Sequence, residues 1–522
     1  MKPIAVIDSE TDPFVYGRIP QPFIWGYYNG TTFKTFYTTD SLIQYIRTRD
    51  EYIYAHNGGK FDFHYLLPFV TSDTGTIDRS LIINGRIVEF RIGKATLRDS
   101  FAILPIALSN YKKDEIDYAL FEKGIREKHM DSIISYLRGD CVYLYEMVTG
   151  FLNEFGNKRT LASAGFAKAK QVDRIANFST NRFFYQLFKP YYHGGRVSMF
   201  YKGIIKTRTY IYDINSAYPY AMLHTHPFGN KVHVTSNKST KISELSFYRI
   251  EGISRGIFPY IDEKLHYPND DSVKEYCVTG YELKAALETQ SFDGRILKEI
   301  QFNEHISFVD YISHYYKQKS SHKKGTIPYI LAKLAMNSVY GKLGANPDKY
   351  LDYIICAPKD ASRIMSEQGA MLAYLGERYT LLAIPIPDIR KRFYNVATAS
   401  SITGFVRARL WRAIQRVKAD GYNVYYCDTD SLITNHPSLP TSKEIGGWDL
   451  EQTNDLLYLY APKIYAARNA ITKKWKVASK GVDLEPTDIL KLLNGKSVRW
   501  ENPAPTFKVK ADTTFIHREL RG

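Results

Sequence analysis

At 522 residues the chain exceeds the roughly 250–300 residues that one hydrophobic core supports, so several domains are expected. Hydrophobic residues at 44% and charged residues at 24% are ordinary for a globular protein. No apolar run nears the roughly 20 residues of a membrane span, and four scattered cysteines without a Cys-x-x-Cys pair argue against a zinc site or disulfide framework.

The formal charge of +16, beside 42 Tyr and 28 Phe, suits a nucleic-acid partner, with rings to stack on bases and cations to follow phosphates. Met1-Lys2-Pro3 runs straight into apolar Ile4-Ala5-Val6-Ile7, so no signal peptide is expected and the protein reads as intracellular and reduced. Further strands are expected at 23–28 and 33–37, then an amphipathic helix at 42–47. That order suits an α/β nuclease-type domain over residues 1–150, closed by a helix at 130–149.

Asp8 and Glu10 are two apart on the first strand and project from one face. Asp62 closes the segment His56-Asn57-Gly58-Gly59-Lys60-Phe61-Asp62. Tyr136 and Asp140, four apart, stack on one side of the closing helix. Four carboxylates at one point repel unless divalent cations neutralise them, and metals roughly 3.5–4 Å apart activate water and steady a leaving oxyanion. Tyr136 is then placed to orient the water, and Asn57 and Phe61 to hold a terminal nucleotide. Each piece alone is commonplace, and an Asp-x-Glu pair is usually a solvated strand end; their order within one domain carries the reading.

A basic connector, 151–200, leads to a larger second part. There Thr209-Tyr-Ile-Tyr-Asp213-Ile214 is a strand ending in an acid, with a tight turn closed by Pro219. An acid at a strand tip suits a Mg²⁺ ligand, and the turn's N–H groups suit a triphosphate. Tyr218 is expected beneath the sugar of an incoming nucleotide, where its ring excludes a 2′-hydroxyl. A helix at 329–340 sets Lys333, Asn337 and Tyr340 on one face, with Gly341 at its end. Lys333 can neutralise triphosphate charge, Tyr340 can lie against the nascent base pair, and the basic stretches Lys317–Lys319 and Lys323-Lys324 upstream, Lys317 foremost, add phosphate contacts. After a second helix at 403–419, a β-hairpin over 424–434 carries Asp428 and Asp430 at its tip. Asp213 and Asp430 would then hold two metals with Asp428 in support.

Together these motifs resemble family B DNA polymerases, and within them the compact protein-primed type of small linear-genome phages and linear plasmids. Asp8-x-Glu10, Asn57-x3-Phe61-Asp62 and Tyr136-x3-Asp140 match the family's three exonuclease motifs. Asp213-x2-Ser216-Ala217-Tyr218-Pro219, Lys333-x3-Asn337-Ser338-x-Tyr340-Gly341 and Tyr426-x-Asp428-Thr429-Asp430-Ser431 match its polymerase motifs. Tyr192-His193-Gly194-Gly195 is similar to the family's template-binding Tyr-x-Gly-Gly element, and Lys463-Ile464-Tyr465 to its primer-binding Lys-x-Tyr. Ala217 and Val339 stand where Leu is usual.

The resemblance implies an RNase H-like 3′→5′ exonuclease domain followed by a palm, fingers and thumb. Palm and fingers would span 201–480 with insertions at about 260–302 and 350–393, and a small thumb 481–522. It implies Mg²⁺ or Mn²⁺, two ions per site; Ile214, Tyr218, Lys333, Asn337, Tyr340, Gly341 and Lys317 as dNTP contacts; and Asn57, Phe61, Tyr192, Gly194, Gly195, Lys463 and Tyr465 as DNA contacts. Partners would be primer-template and single-stranded DNA, dNTPs and a terminal priming protein, with the chain a monomer in the host cytoplasm. Two rival readings, a stand-alone nuclease and a non-catalytic strand-binding factor, leave the second set of ordered acids unexplained.

Overall fold

Ile4–Thr11 lies inside a sheet rather than at its edge, which is why its apolar residues are buried while the acids at its end are brought to a cleft. The structure is a computed structural model that describes residues 2–70, 79–175, 180–236, 241–349, 351–386 and 395–522. Ile4–Thr11 pairs antiparallel with Pro22–Tyr28 and parallel with Tyr52–Ala55, which in turn runs parallel to Ala95–Asp99. The Met130–Phe155 helix packs its buried face, from Ile133 to Phe155, over this sheet. It continues five residues beyond the expected boundary at 150, and the basic connector forms a second helix, Leu161–Val172.

The sheet does not stop at the N-terminal domain. Its order continues through Ala95–Asp99, Arg86–Ile92 and Arg79–Ile83 to three strands from far along the chain: Leu351–Cys356, Thr380–Pro385 and Met371–Leu375. The junction pairs Tyr353 with Ser80 and Ile354 with Arg79, and an Arg79–Asp352 ion pair at 2.5 Å flanks it. The expected second insertion thus extends the N-terminal sheet to ten strands; its residues 350 and 387–393 lie outside the described residues.

A second sheet, of eight strands, is antiparallel throughout. Thr209–Ile214 lies inside it, between Ser431–Thr434 and Trp448–Ala461. Behind it runs the Val396–Ala419 helix, seven residues longer at its start than the sequence pattern suggests. The expected first insertion, 260–302, belongs largely to a four-stranded sheet of His226–Thr235, Phe292–Ile306, Phe247–Arg255 and Asn269–Thr279. Val309–Ser321 and Ile327–Leu343 form an antiparallel helix pair that Leu161–Val172 supports. One core joins Val6 and Leu137 of the first domain to Ala335 and Met336 of this pair and to Ala217 and Ile402 of the second. The C-terminal segment adds a helix, Pro486–Leu493, and a hairpin of Val498–Glu501 with His517–Leu520.

Two candidate active sites

The first site gathers acids from the Ile4–Thr11 strand and two helices. One ligand oxygen each from Asp8, Glu10 and Asp140 lies within 4.8 Å of the others. Asp140 and Tyr136 sit one turn apart on the buried face of Met130–Phe155. Asp62 opens the Asp62–Leu66 helix and accepts from Ser9 Oγ at 2.5 Å. Burial, reinforced by Asp62, Glu10 and Asp140, pushes the Asp8 carboxyl well above the ordinary carboxylate range. Burial and then Asp140 and Asp62 do the same to Glu10, and burial lifts Asp62 to about 6. Asp140 is raised by burial against the opposing pull of Tyr136 and Lys113, and its Oδ1 is buried without a hydrogen-bond partner among the described residues. Desolvated carboxylates that raise one another's pKa, with one oxygen orphaned, fit divalent cations as their missing partners.

Lys113 is a member of this site that the sequence pattern missed. Its Nζ lies 5.9 Å from the Tyr136 ring centroid and 5.7 Å from that of Tyr118, whose hydroxyl is 3.1 Å from Tyr136 Oη. Its charge favours the ionised forms of Glu10 and Asp140. A lone Lys in an irregular charged stretch carries no spacing signal, so only the fold reveals it. The neighbouring cleft, about 410 Å³, is lined by Asp8, Asn57, Phe61 and Asp62 on one side and by Thr506 and Phe507 on the other. Phe507 stacks on His64 at 5.1 Å and meets Phe61 edge-on at 5.5 Å. The C-terminal segment therefore walls a cleft at the opposite end of the sequence, which no local pattern indicates.

The second site lies where two strand ends meet. Asp213 pairs in register with Ser431 and Asp449, and Ile214 N donates to Asp430 O at 2.9 Å, which fixes the two acidic tips side by side. Burial and Asp430 raise Asp213 to about 7, and burial raises Asp430 to about 6. Asp428 differs: Lys463 Nζ donates to its Oδ2 at 2.5 Å and Tyr426 Oη at 3.2 Å. With Asp428 so paired, Asp213 and Asp430 are left without an ion pair among the described residues, and that donor set also fits divalent metal. Asp428, Asp430, Lys463 and Tyr465 line one open cleft of about 550 Å³. Asp449 and Glu451 add further negative charge against Asp213, partly offset by Lys476; the sequence pattern did not single them out.

The helix Ile327–Leu343 exposes Lys333 and Asn337 and half-buries Tyr340, so the three share a face. Tyr340 stacks on Tyr218 with centroids 4.3 Å apart and planes 15° from parallel. A Cβ at Gly341 would meet nothing within 4 Å, so the glycine leaves open space beside the rings and is not forced by packing. Lys317 is exposed on Val309–Ser321, whereas Lys319, two residues on, reaches Ser216 Oγ at 3.4 Å, and burial, with Lys333 beside it, holds its pKa down. Lys319 is thus the cation of that helix that the fold brings to the Asp213 turn.

The Tyr192–Gly195 loop is tied to both site walls. A Cβ at Gly195 would strike the Thr429 side chain at 2.6 Å, and one at Gly344 would strike Tyr192 at 2.4 Å. Thr429 N donates to Arg196 O at 2.6 Å. At Gly194, which is exposed, a Cβ would meet nothing within 4 Å, so the glycine bares backbone to whatever lies above. From behind, the buried Arg407 donates to the His193 and Gly194 carbonyls at 2.6 and 2.8 Å and pairs with Glu282 at 2.8 Å.

Comparison with known proteins agrees with this geometry. The family profile described as DNA polymerase type B, organellar and viral, matches residues 111–370. The DNA-directed DNA polymerase of Enterobacteria phage PRD1 is 34% identical over 572 aligned positions, covering 99% of this chain and 98% of its own. A probable DNA polymerase of Agaricus bitorquis is 25% identical, over 88% of this chain and 70% of its own. Among solved structures, phi29 DNA polymerase in complex with primer-template DNA and incoming nucleotide superposes over both complete chains with a TM-score of 0.76 at 18% identity. The chain belongs to the family B DNA polymerases of the organellar and viral type. It is a DNA-directed DNA polymerase with the RNase H-like and palm-fingers-thumb fold of that family. No helix among the described residues is long and apolar enough to cross a membrane.

Proposed function

We propose that the N-terminal acidic cleft is a 3′→5′ exonuclease that removes mispaired primer ends made at the second site. The observation that carries this is the convergence of Asp8, Glu10 and Asp140 beside an orphaned Asp140 oxygen. Mg²⁺ or Mn²⁺, two ions per site, suits both donor sets: Asp8, Glu10, Asp62 and Asp140 would hold them in one, Asp213 and Asp430 in the other. Bound there, such ions supply an ionised nucleophile and stabilise the leaving oxyanion. Tyr136 orients the attacking water, while Asn57 and Phe61 hold the terminal nucleotide.

At the polymerase site Lys333, with Lys319 and Asn337, offsets triphosphate charge, and Ile214 backs the phosphates on the Asp213 turn. Tyr218 closes the floor of the sugar pocket; Tyr340 and Gly341 shape the nascent base pair. Tyr192, Gly194 and Gly195 carry the template, Lys463 and Tyr465 the primer end, and Asp428 keeps Lys463 in place. The solved complexes of phi29 DNA polymerase with primer-template and with single-stranded DNA support these partners.

The domains divide as 1–150, 151–200, 201–480 and 481–522. The insertions near 260–302 and 350–393 suit priming from a protein hydroxyl and strand displacement on a viral or plasmid genome. The chain works as a monomer in the cytoplasm of its host.

Primer extension and single-strand degradation with Mg²⁺ test the division of labour. Asp430→Asn is expected to abolish extension and keep degradation, and Asp8→Ala to do the reverse. Retained degradation by Asp8→Ala would remove the exonuclease assignment.

A further inference from the structure

The turn joining Arg79–Ile83 to Arg86–Ile92 places a cation beside the acidic cleft that neither metal nor phosphate chemistry has claimed. Arg86 Nη1 donates to Asn57 Oδ1 at 2.8 Å and to Asp99 Oδ2 at 2.5 Å. Its guanidinium lies 4.5 Å from the Phe101 ring centroid. Asp99 is itself 1% exposed and accepts from Phe101 N at 2.9 Å, so the anchor for Arg86 is rigid. Gly59 seals the arrangement: a Cβ there would lie 2.0 Å from Ile87 O and 2.8 Å from Asp99 Oδ2. The outer strand of the same hairpin is clamped by Leu351–Cys356.

Asn57 is exposed, adopts φ 59°, and lines the cleft with Asp8 and Phe61. Guanidinium has donors and no acceptor, so the Asn57 atom facing Arg86 is its carbonyl oxygen. That settles which way the amide points and leaves its two Nδ2 hydrogens for a ligand. A ligand held this way must present an acceptor, such as a base carbonyl, a sugar oxygen or a phosphate oxygen. We infer that Arg86 is a positioning residue for the exonuclease reaction: by holding Oδ1 it fixes Asn57 as a hydrogen-bond donor to an acceptor atom near the 3′ end of single-stranded DNA. The inference rests on the exonuclease reading of this cleft.

Steady-state degradation of a single-stranded oligonucleotide by the complete chain, with Mg²⁺ or Mn²⁺, tests it. Arg86→Ala and Asn57→Ala are each expected to raise KM about tenfold with kcat within about twofold. The double variant should be no worse than either single one, because both remove the same donor. Asn57→Asp keeps a partner for Arg86 but offers no donor, so its KM should rise at least as far as that of Asn57→Ala. Arg86→Lys retains a charged donor and should recover most of the loss.

Arg86→Ala also strips buried Asp99 of its cation, so melting temperature and primer extension are read on the same preparations. Where that variant fails to fold, Asn57→Asp and Arg86→Lys carry the test. A double-variant KM equal to the product of the single effects, or an unchanged KM for Asn57→Asp, overturns the inference. Full degradation by Asp8→Ala instead overturns the exonuclease reading beneath it.

Discussion

At the residue scale, each acidic site sacrifices stability for the ability to take up cations. A carboxyl whose folded pKa is raised above its unfolded value destabilises the protein in full at pH above the folded pKa, and the penalty fades as pH falls from the folded pKa to the unfolded one. Asp8, Glu10, Asp62, Asp213 and Asp430 are all raised, by burial first and by neighbouring acids as well. Protons and divalent cations then compete for the same oxygens. Mg²⁺ should raise the melting temperature more at pH 8 than at pH 5.5, and Asp8→Asn should raise it in chelator-treated protein, by about 2–4 °C per kcal/mol relieved. Melting curves at the two pH values, with and without Mg²⁺, check both; a Mg²⁺ effect larger at pH 5.5 would contradict the account. Tyr218 makes a separate case. Its ring is pinned by Tyr340 at 4.3 Å, so it cannot swing aside to admit a larger sugar. Tyr218→Val should lower discrimination against ribonucleotides by roughly ten- to two-hundredfold in single-nucleotide incorporation.

At the scale of elements, the Val396–Ala419 helix does more than back the eight-stranded sheet. Its Arg407 is joined at 2.8 Å to Glu282 of the Gly280–Glu288 helix, both side chains 2% exposed, and the same guanidinium holds the loop that carries Gly194. Removing one partner of a buried pair typically costs 3–5 kcal/mol. Arg407→Met is therefore expected to lower the melting temperature and, at temperatures where it stays folded, to weaken primer extension while sparing single-strand degradation. Gel-based extension and degradation by one preparation decide it. This helix also shows where sequence pattern fails. Its first two turns, rich in Ser and Thr, look like a loop, yet Ser400 and Thr403 return their hydroxyls to the Val396 and Ser400 carbonyls and Thr398 bonds Pro227 O. By contrast, the Ile4–Thr11 strand, the Lys333–Asn337–Tyr340 face and the acid-tipped 424–434 hairpin follow from local period alone. Lys113 and Arg407 do not, because their roles come from contacts that no spacing encodes.

At the scale of the whole molecule, the N-terminal domain is completed by distant chain. Strands from 351–385 extend its sheet, and Val509, 1% exposed, is buried in its core beside Tyr353 and Ala383. Pairings separated by some 270 residues leave no local trace, which is why the first strands and the closing helix are readable from sequence while their dependence on the C-terminus is not. Phe507 is where that dependence meets chemistry. It is 6% exposed and packs against Phe61, His64 and Tyr65, with Phe61 standing in the cleft beside Asp8. Replacing a buried Phe by Ala usually costs 3–5 kcal/mol, and here the space opens directly behind Phe61. Phe507→Ala should therefore raise KM for single-stranded DNA while leaving the Asp213 site, and extension of a paired primer, near the wild-type rate. Phe507→Leu, which refills most of the volume, should restore degradation. Equal loss of both activities would show instead that the C-terminal segment supports the fold as a whole and not this cleft.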